Sequence, residues 1–146
     1  GMMQKDKRYI AFVCTGNTCR SPMAEGIFNK LAEEKGIDVT AESFGLSTIT
    51  GAPVSENSVK VCAEIGVDLS NSKSTYVEDA PLEKYEKFYC MSQSHARILS
   101  ECYFVPSKDI EVLNICDPYG GNEIIYRKCR DEIYNSVKEI IKSYEN

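Results

Sequence analysis

A chain of 146 residues, 42% hydrophobic and 27% charged, has the size and balance of one soluble globular domain, which excludes a disordered or fibrous protein. Its formal charge of −5, with acidic residues spread along the chain, argues against nucleic acid as a partner; apolar runs of only a few residues argue against a membrane. Seven cysteines, an odd count with no export signal, speak against a disulfide framework and for a cytoplasmic protein.

One domain is expected over 1–146, with residues 1–7 a tag scar (Gly1 before Met2) and flexible N-terminus. The apolar, β-prone run from Arg8 to Val13 predicts the first strand, which ends in a turn containing Gly, Asn and Ser. Pro22 suits the first position of the helix that follows; Ala24, Ile27, Phe28 and Leu31 give its apolar pattern, and Gly36 its exit. Val39 to Leu46 predicts a second strand, and Ser55 to Gly66 a second helix with Val61, Cys62 and Ile65 on one face.

Lys87 to Met91 predicts a third strand, Ser92 to Tyr103 a helix opened by a serine cap, and Glu111 to Ile115 a fourth strand. Tyr126, Cys129, Ile133, Val137, Ile140 and Tyr144 recur at steps of three and four, the signature of an amphipathic C-terminal helix. Strands alternating with helices predict the α/β class: a doubly wound, four-stranded parallel sheet with helices on both faces. Such sheets bind ligands beyond the carboxyl ends of their strands, where the loop from Cys14 to Ser21 falls.

That loop reads Cys14-Thr15-Gly16-Asn17-Thr18-Cys19-Arg20-Ser21-Pro22. Five residues curling between Cys14 and Arg20 can turn successive backbone N–H groups inward as a nest for a tetrahedral oxyanion, with Gly16 and Asn17 tolerating positive φ. The helix behind adds positive potential. Arg20 supplies a planar fork for two phosphate oxygens, and with the loop amides and the Ser21 hydroxyl it is expected to hold the Cys14 thiol well below its ordinary pKa. Inorganic phosphate and other oxyanions are the expected small ligands.

The run from Val13 to Glu25 resembles the signature of the low-molecular-weight protein tyrosine phosphatases, and the resemblance extends over about Tyr9 to Tyr144. It implies a phosphorylated protein or peptide as substrate and a phosphocysteine mechanism without metal or other cofactor. It also implies Cys14 as nucleophile, Arg20 as phosphate clamp, Asn17 as loop organiser and Ser21 as thiolate partner. Asp117-Pro118-Tyr119 matches the family's acid loop, so Asp117 is the implied proton donor and Tyr119, with Thr18, a wall of the substrate pocket. Ser43 stands where the family keeps a serine near the loop, followed here by Phe44, which could narrow or reshape the pocket. Ser72 stands where many members carry a histidine that supports the loop asparagine.

Thr18, where tyrosine-directed members usually carry a branched aliphatic residue, and Gly120-Gly121, where a second aromatic usually follows, look like the bacterial protein-arginine phosphatases. Phosphoarginine is therefore the favoured substrate and phosphotyrosine the alternative. Thioredoxin-coupled arsenate reductases share the fold; Cys90 and Cys102 would have to serve as the further redox pair, and their spacing is too long for that family. A cysteine hydrolase would need a histidine base, and His95, the only histidine, reads as a residue in the first turn of the third helix. Cys14 and Cys19 lack the partners of a structural zinc site. A phosphoprotein-binding module is the remaining class, against which stands the presence of nucleophile, clamp and acid together. Cys62, Cys90, Cys102 and Cys129 read as small buried hydrophobes, while Cys19 either packs beneath the loop or resolves an oxidised Cys14.

Overall fold

In the computed structural model the first strand, β1, runs Arg8–Cys14, and Ile10 to Val13 are fully buried. The unbroken apolar run reflects a strand covered on both faces: Ile10, Phe12 and Cys14 enter one core, Ala11 and Val13 the other. The structure describes residues 7–145; residues 1–6 of the expected scar and N-terminus lie outside the described residues, as does Asn146.

Helix α1 spans Arg20–Lys35 and ends on Gly36, whose φ of 67° lets its N–H close on the last carbonyls. It begins two residues before Pro22, which therefore sits at the third helical position; a proline is tolerated there because first-turn N–H groups have no intrahelical partner. The remaining elements are β2 (Val39–Gly45), α2 (Glu56–Ala63), β3 (Lys87–Cys90), α3 (Gln93–Tyr103), β4 (Ile110–Val112) and α4 (Glu123–Tyr144). Ser55 caps α2, its side chain accepting the Ser58 amide at 3.3 Å, and Asn122 caps α4 by accepting from Ile125 at 3.0 Å.

All four strands are parallel in the order β2-β1-β3-β4. β1 thus lies where the winding reverses, and the crevice beyond its carboxyl end is the natural ligand site of such a sheet. The apolar stripe of α4, Tyr126 through Ile140, packs with α1 and α2 on one face, while α3 covers the other.

β4 is shorter than expected. Asn114 takes φ 57°, which breaks the extended run after Val112, yet the Leu113 and Ile115 amides still donate to Cys90 and Met91 of the β3 edge at 2.8 and 2.9 Å. Pairing therefore continues past the strand and carries the chain to Asp117. Phe44 is fully buried among Tyr85 and Phe88 in the second core, so it does not narrow the pocket. Cys62, Cys90 and Cys129 are buried as expected; Cys102 is exposed on α3, which corrects its reading as a core residue.

Candidate active site

Three connections meet at the carboxyl edge of the sheet: the loop after β1, the turn into α3, and the segment after β4. Cys14, Thr15, Gly16, Thr18, Cys19, Arg20, Asp117 and Tyr119 line one cavity of about 260 Å³. The sulfur of Cys14 lies 2.8 Å from Ser21 Oγ, and the Asn17 amide donates to it at 3.3 Å. Asn17 takes φ 54°, the left-handed conformation the nest requires, whereas Gly16 does not use positive φ.

Asn17 organises the loop through its side chain. Its Nδ2 donates to Ser21 Oγ at 2.7 Å and to Ser43 Oγ at 2.9 Å, and its Oδ1 accepts the Thr75 amide at 2.8 Å. Because Ser21 Oγ already accepts from Asn17, its own proton is free to donate to the Cys14 sulfur. Ser43 in turn donates to Glu25 Oε1 at 2.5 Å, and burial pushes the Glu25 carboxyl above its ordinary pKa. Ser72 has no bond to Asn17 among the described hydrogen bonds; its amide donates to Leu69, and the support expected from it comes from the Thr75 backbone instead. A backbone donor leaves no mark in residue type, which is why the sequence does not reveal it.

The arginine fork is buried, with Nη1 donating to the Ile115 carbonyl at 2.8 Å and Nη2 lying 3.7 Å from Asp117 Oδ2. Asp117 is half-exposed at the mouth, and its Oδ1 accepts the Tyr119 amide at 3.0 Å. Tyr119 is 82% exposed, a free ring at the rim. Gly120, at φ 81°, has open space where a side chain would stand.

Burial pushes the Cys14 thiol above its ordinary pKa, against the Ser21 side chain, the Ser21 and Asn17 amides and the Arg20 charge, which all pull it down. The net direction is upward, opposite to the expectation from the sequence. The physical reason is desolvation, together with an Arg20 engaged by Ile115 and Asp117 rather than by the sulfur. Ser21→Ala should raise the thiol pKa further, since it removes a bond that favours the thiolate. Less thiolate at a given pH means slower chemistry, so alkylation of Cys14 by iodoacetamide at neutral pH should slow about tenfold. An unchanged pH profile of alkylation would contradict this.

Cys19 is buried beneath the loop, 3.3 Å from the Tyr126 hydroxyl and 3.6 Å from Ser55 Oγ. The Ser55 amide also donates to the Thr18 carbonyl at 2.8 Å, so the start of α2 braces the loop from below. Arg127 and Arg130 of α4 both pair with Glu64 just after α2, holding that brace in place. His95, expected only as a residue in the first turn of the third helix, also reaches the loop: it is buried, and its Nε2 lies 2.9 Å from Thr15 Oγ1. Among the described residues no cluster of His, Cys, Asp or Glu could hold a metal ion, and no helix is long and apolar enough to cross a membrane.

A cysteine and an arginine at opposite ends of one loop, on a doubly wound parallel sheet with an aspartate across the cavity, make an arrangement that can bind an oxyanion beside a nucleophile and a carboxyl group. The family of low molecular weight phosphotyrosine protein phosphatases matches residues 9–146, and the chain belongs to it. As a member it is a cysteine-dependent protein phosphatase that works without a metal. A protein-arginine-phosphatase of Bacillus subtilis is 30% identical over 91% of this chain and 94% of its own length. An arsenate reductase of Halalkalibacterium halodurans is 33% identical over 91% and 94%. The crystal structure of a low molecular weight protein tyrosine phosphatase from T. tengcongensis superposes with a TM-score of 0.89, at 33% identity over 93% of this chain and 99% of that one.

Proposed function

We propose that the protein hydrolyses phosphoarginine in protein substrates through a phosphocysteine on Cys14. The observation that carries the reading is the single cavity lined by Cys14, Arg20 and Asp117 with Thr18 and Tyr119 at its wall. The Cys14 sulfur, as thiolate, attacks phosphorus while the Arg20 fork and the loop amides hold the phosphoryl oxygens. The P–N bond breaks, and Asp117 passes its proton to the departing guanidine nitrogen. Asp117, now a carboxylate, takes a proton from water; the water oxygen bonds to phosphorus, the S–P bond breaks, and phosphate leaves with Asp117 protonated again.

The preference for a guanidine leaving group rests on the pocket wall. Thr18 offers a hydroxyl where a phenyl ring would want apolar contact, and Gly120 adds no ring surface beside Tyr119. Likeness to the Bacillus subtilis protein-arginine-phosphatase supports the same side. Arsenate reduction is a weaker reading for this chain despite its reductase relative. Cys90 is buried in the second core, on the opposite face from Cys14, and burial holds its thiol pKa at about 12, so a relay through Cys90 has no path to the loop.

Side-by-side turnover of phosphoarginine and phosphotyrosine peptides, with Cys14→Ser as the blank, tests the class and the branch together. Thr18→Ile should shift the ratio of the two activities at least about tenfold toward phosphotyrosine, the scale on which one apolar group discriminates in a pocket. An unchanged ratio would remove Thr18 from the argument, and wild-type activity confined to phosphotyrosine would overturn the branch.

A further inference from the structure

The two ring nitrogens of His95 do different things. Nδ1 accepts the Ser92 amide at 3.1 Å and lies 2.9 Å from the Ser92 hydroxyl, closing a capping box at the start of α3. Nε2 points the other way, to Thr15 Oγ1 at 2.9 Å. A nitrogen that accepts from a backbone N–H carries no proton, so in the neutral ring the proton is on Nε2 and is donated to Thr15. Burial, then the Arg20 charge, pushes the ring down to a pKa of about 4, with Asp117 opposing, so the ring is neutral at pH 7.

Capping α3 needs Nδ1 alone; the bond from Nε2 to the loop is additional. Thr15 is the residue after the nucleophile, is exposed, and lines the cavity. Its hydroxyl would otherwise rotate among staggered wells. With one lone pair filled by His95, the rotamer is fixed, and a proton and a second lone pair are left for the cavity. We infer that His95 is a positioning residue for the phosphatase reaction: through Nε2–H it holds the Thr15 hydroxyl toward the leaving group, giving the pocket a second polar wall beside Thr18. This rests on the reading of the loop as the phosphoryl site.

Side-chain length separates the two roles. His95→Asn keeps an acceptor for the Ser92 amide but falls short of Thr15, whereas His95→Gln carries an amide N–H out to the reach of Nε2. Thr15→Val removes the hydroxyl at the same shape and leaves the α3 cap intact. Expected are a fall in kcat/KM of about threefold to tenfold in His95→Asn and in Thr15→Val, on p-nitrophenyl phosphate and on a phosphoarginine peptide, and recovery in His95→Gln. The double variant His95→Asn/Thr15→Val should be no worse than Thr15→Val alone, since one side chain acts through the other.

Wild-type kcat/KM in His95→Asn, or losses that multiply in the double variant, would overturn the inference. Should His95→Asn fail to fold, wild-type kcat/KM in Thr15→Val overturns it equally. Vanadate inhibition of the wild-type enzyme distinguishes the levels: no inhibition defeats the phosphoryl site and this inference with it, while inhibition with unaffected variants defeats the role of His95 only.

Discussion

Asp117→Asn is expected to lower kcat on phosphoarginine and phosphotyrosine peptides by about 10²–10⁴-fold, the range associated with a positioned general acid. Asparagine keeps the shape of the side chain and can still accept the Tyr119 amide that aligns it, so the loop after β4 should keep its course. What it loses is a proton to give in the first step and a base to activate water in the second. The loss should shrink on p-nitrophenyl phosphate, whose leaving group departs readily without a proton. Inorganic phosphate should bind the variant at least as tightly, because a carboxylate 3.7 Å from the Arg20 fork no longer competes with it. Steady-state kcat on the three substrates, with phosphate inhibition constants, checks this; a uniform loss below tenfold would remove Asp117 from the chemistry.

Arg20→Lys should lower kcat/KM by more than about 10²-fold, the loss that follows removal of a donor aimed at transition-state charge. Lysine preserves the sign of the charge and little else. In the wild type, Nη1 is tied to the Ile115 carbonyl at 2.8 Å, which anchors the plane of a guanidinium that lines the cavity, with Nη2 3.7 Å from Asp117 Oδ2. A lysine ammonium cannot satisfy that carbonyl and present a two-pronged donor to a phosphoryl group at once. Thermal unfolding should show a smaller change than activity does, and vanadate should inhibit the variant far more weakly. Retention of activity within tenfold of wild type would show that charge alone suffices.

The fold was legible because its signals are local. The apolar run of β1, Gly36 at the end of α1 and the stripe of α4 each state their element directly. The end of β4 was not, since a single left-handed asparagine stops the strand while its hydrogen bonds go on. At the site, Cys14 and Arg20 stand out by the strand-to-helix loop between them and Asp117 by its match to the acid loop of the family the sequence resembles, and the structure brings all three to one cavity. Ser72 misled because its neighbour three residues on supplies a main-chain donor that any residue could supply. His95 reads from the sequence only as a residue in the first turn of the third helix; the tertiary approach of α3 to the loop reveals its bond to Thr15 beside the one from the Ser92 amide. The thiol pKa direction depended on depth, and a linear string carries no depth.

The last residue of β2 has a consequence for how this pocket can vary. A Cβ on Gly45 would come within 2.7 Å of the Thr15 carbonyl oxygen and 3.0 Å of the Asn17 nitrogen, both main-chain atoms with nowhere to retreat. Leu46 and Ser47 then bond the carbonyls of Cys14 and Thr15, sealing the rear of the nest with main chain. New substrate preferences must therefore be carved from the front, at the rim positions of Thr18 and Tyr119 and in the glycines after them, while the back wall stays as it is.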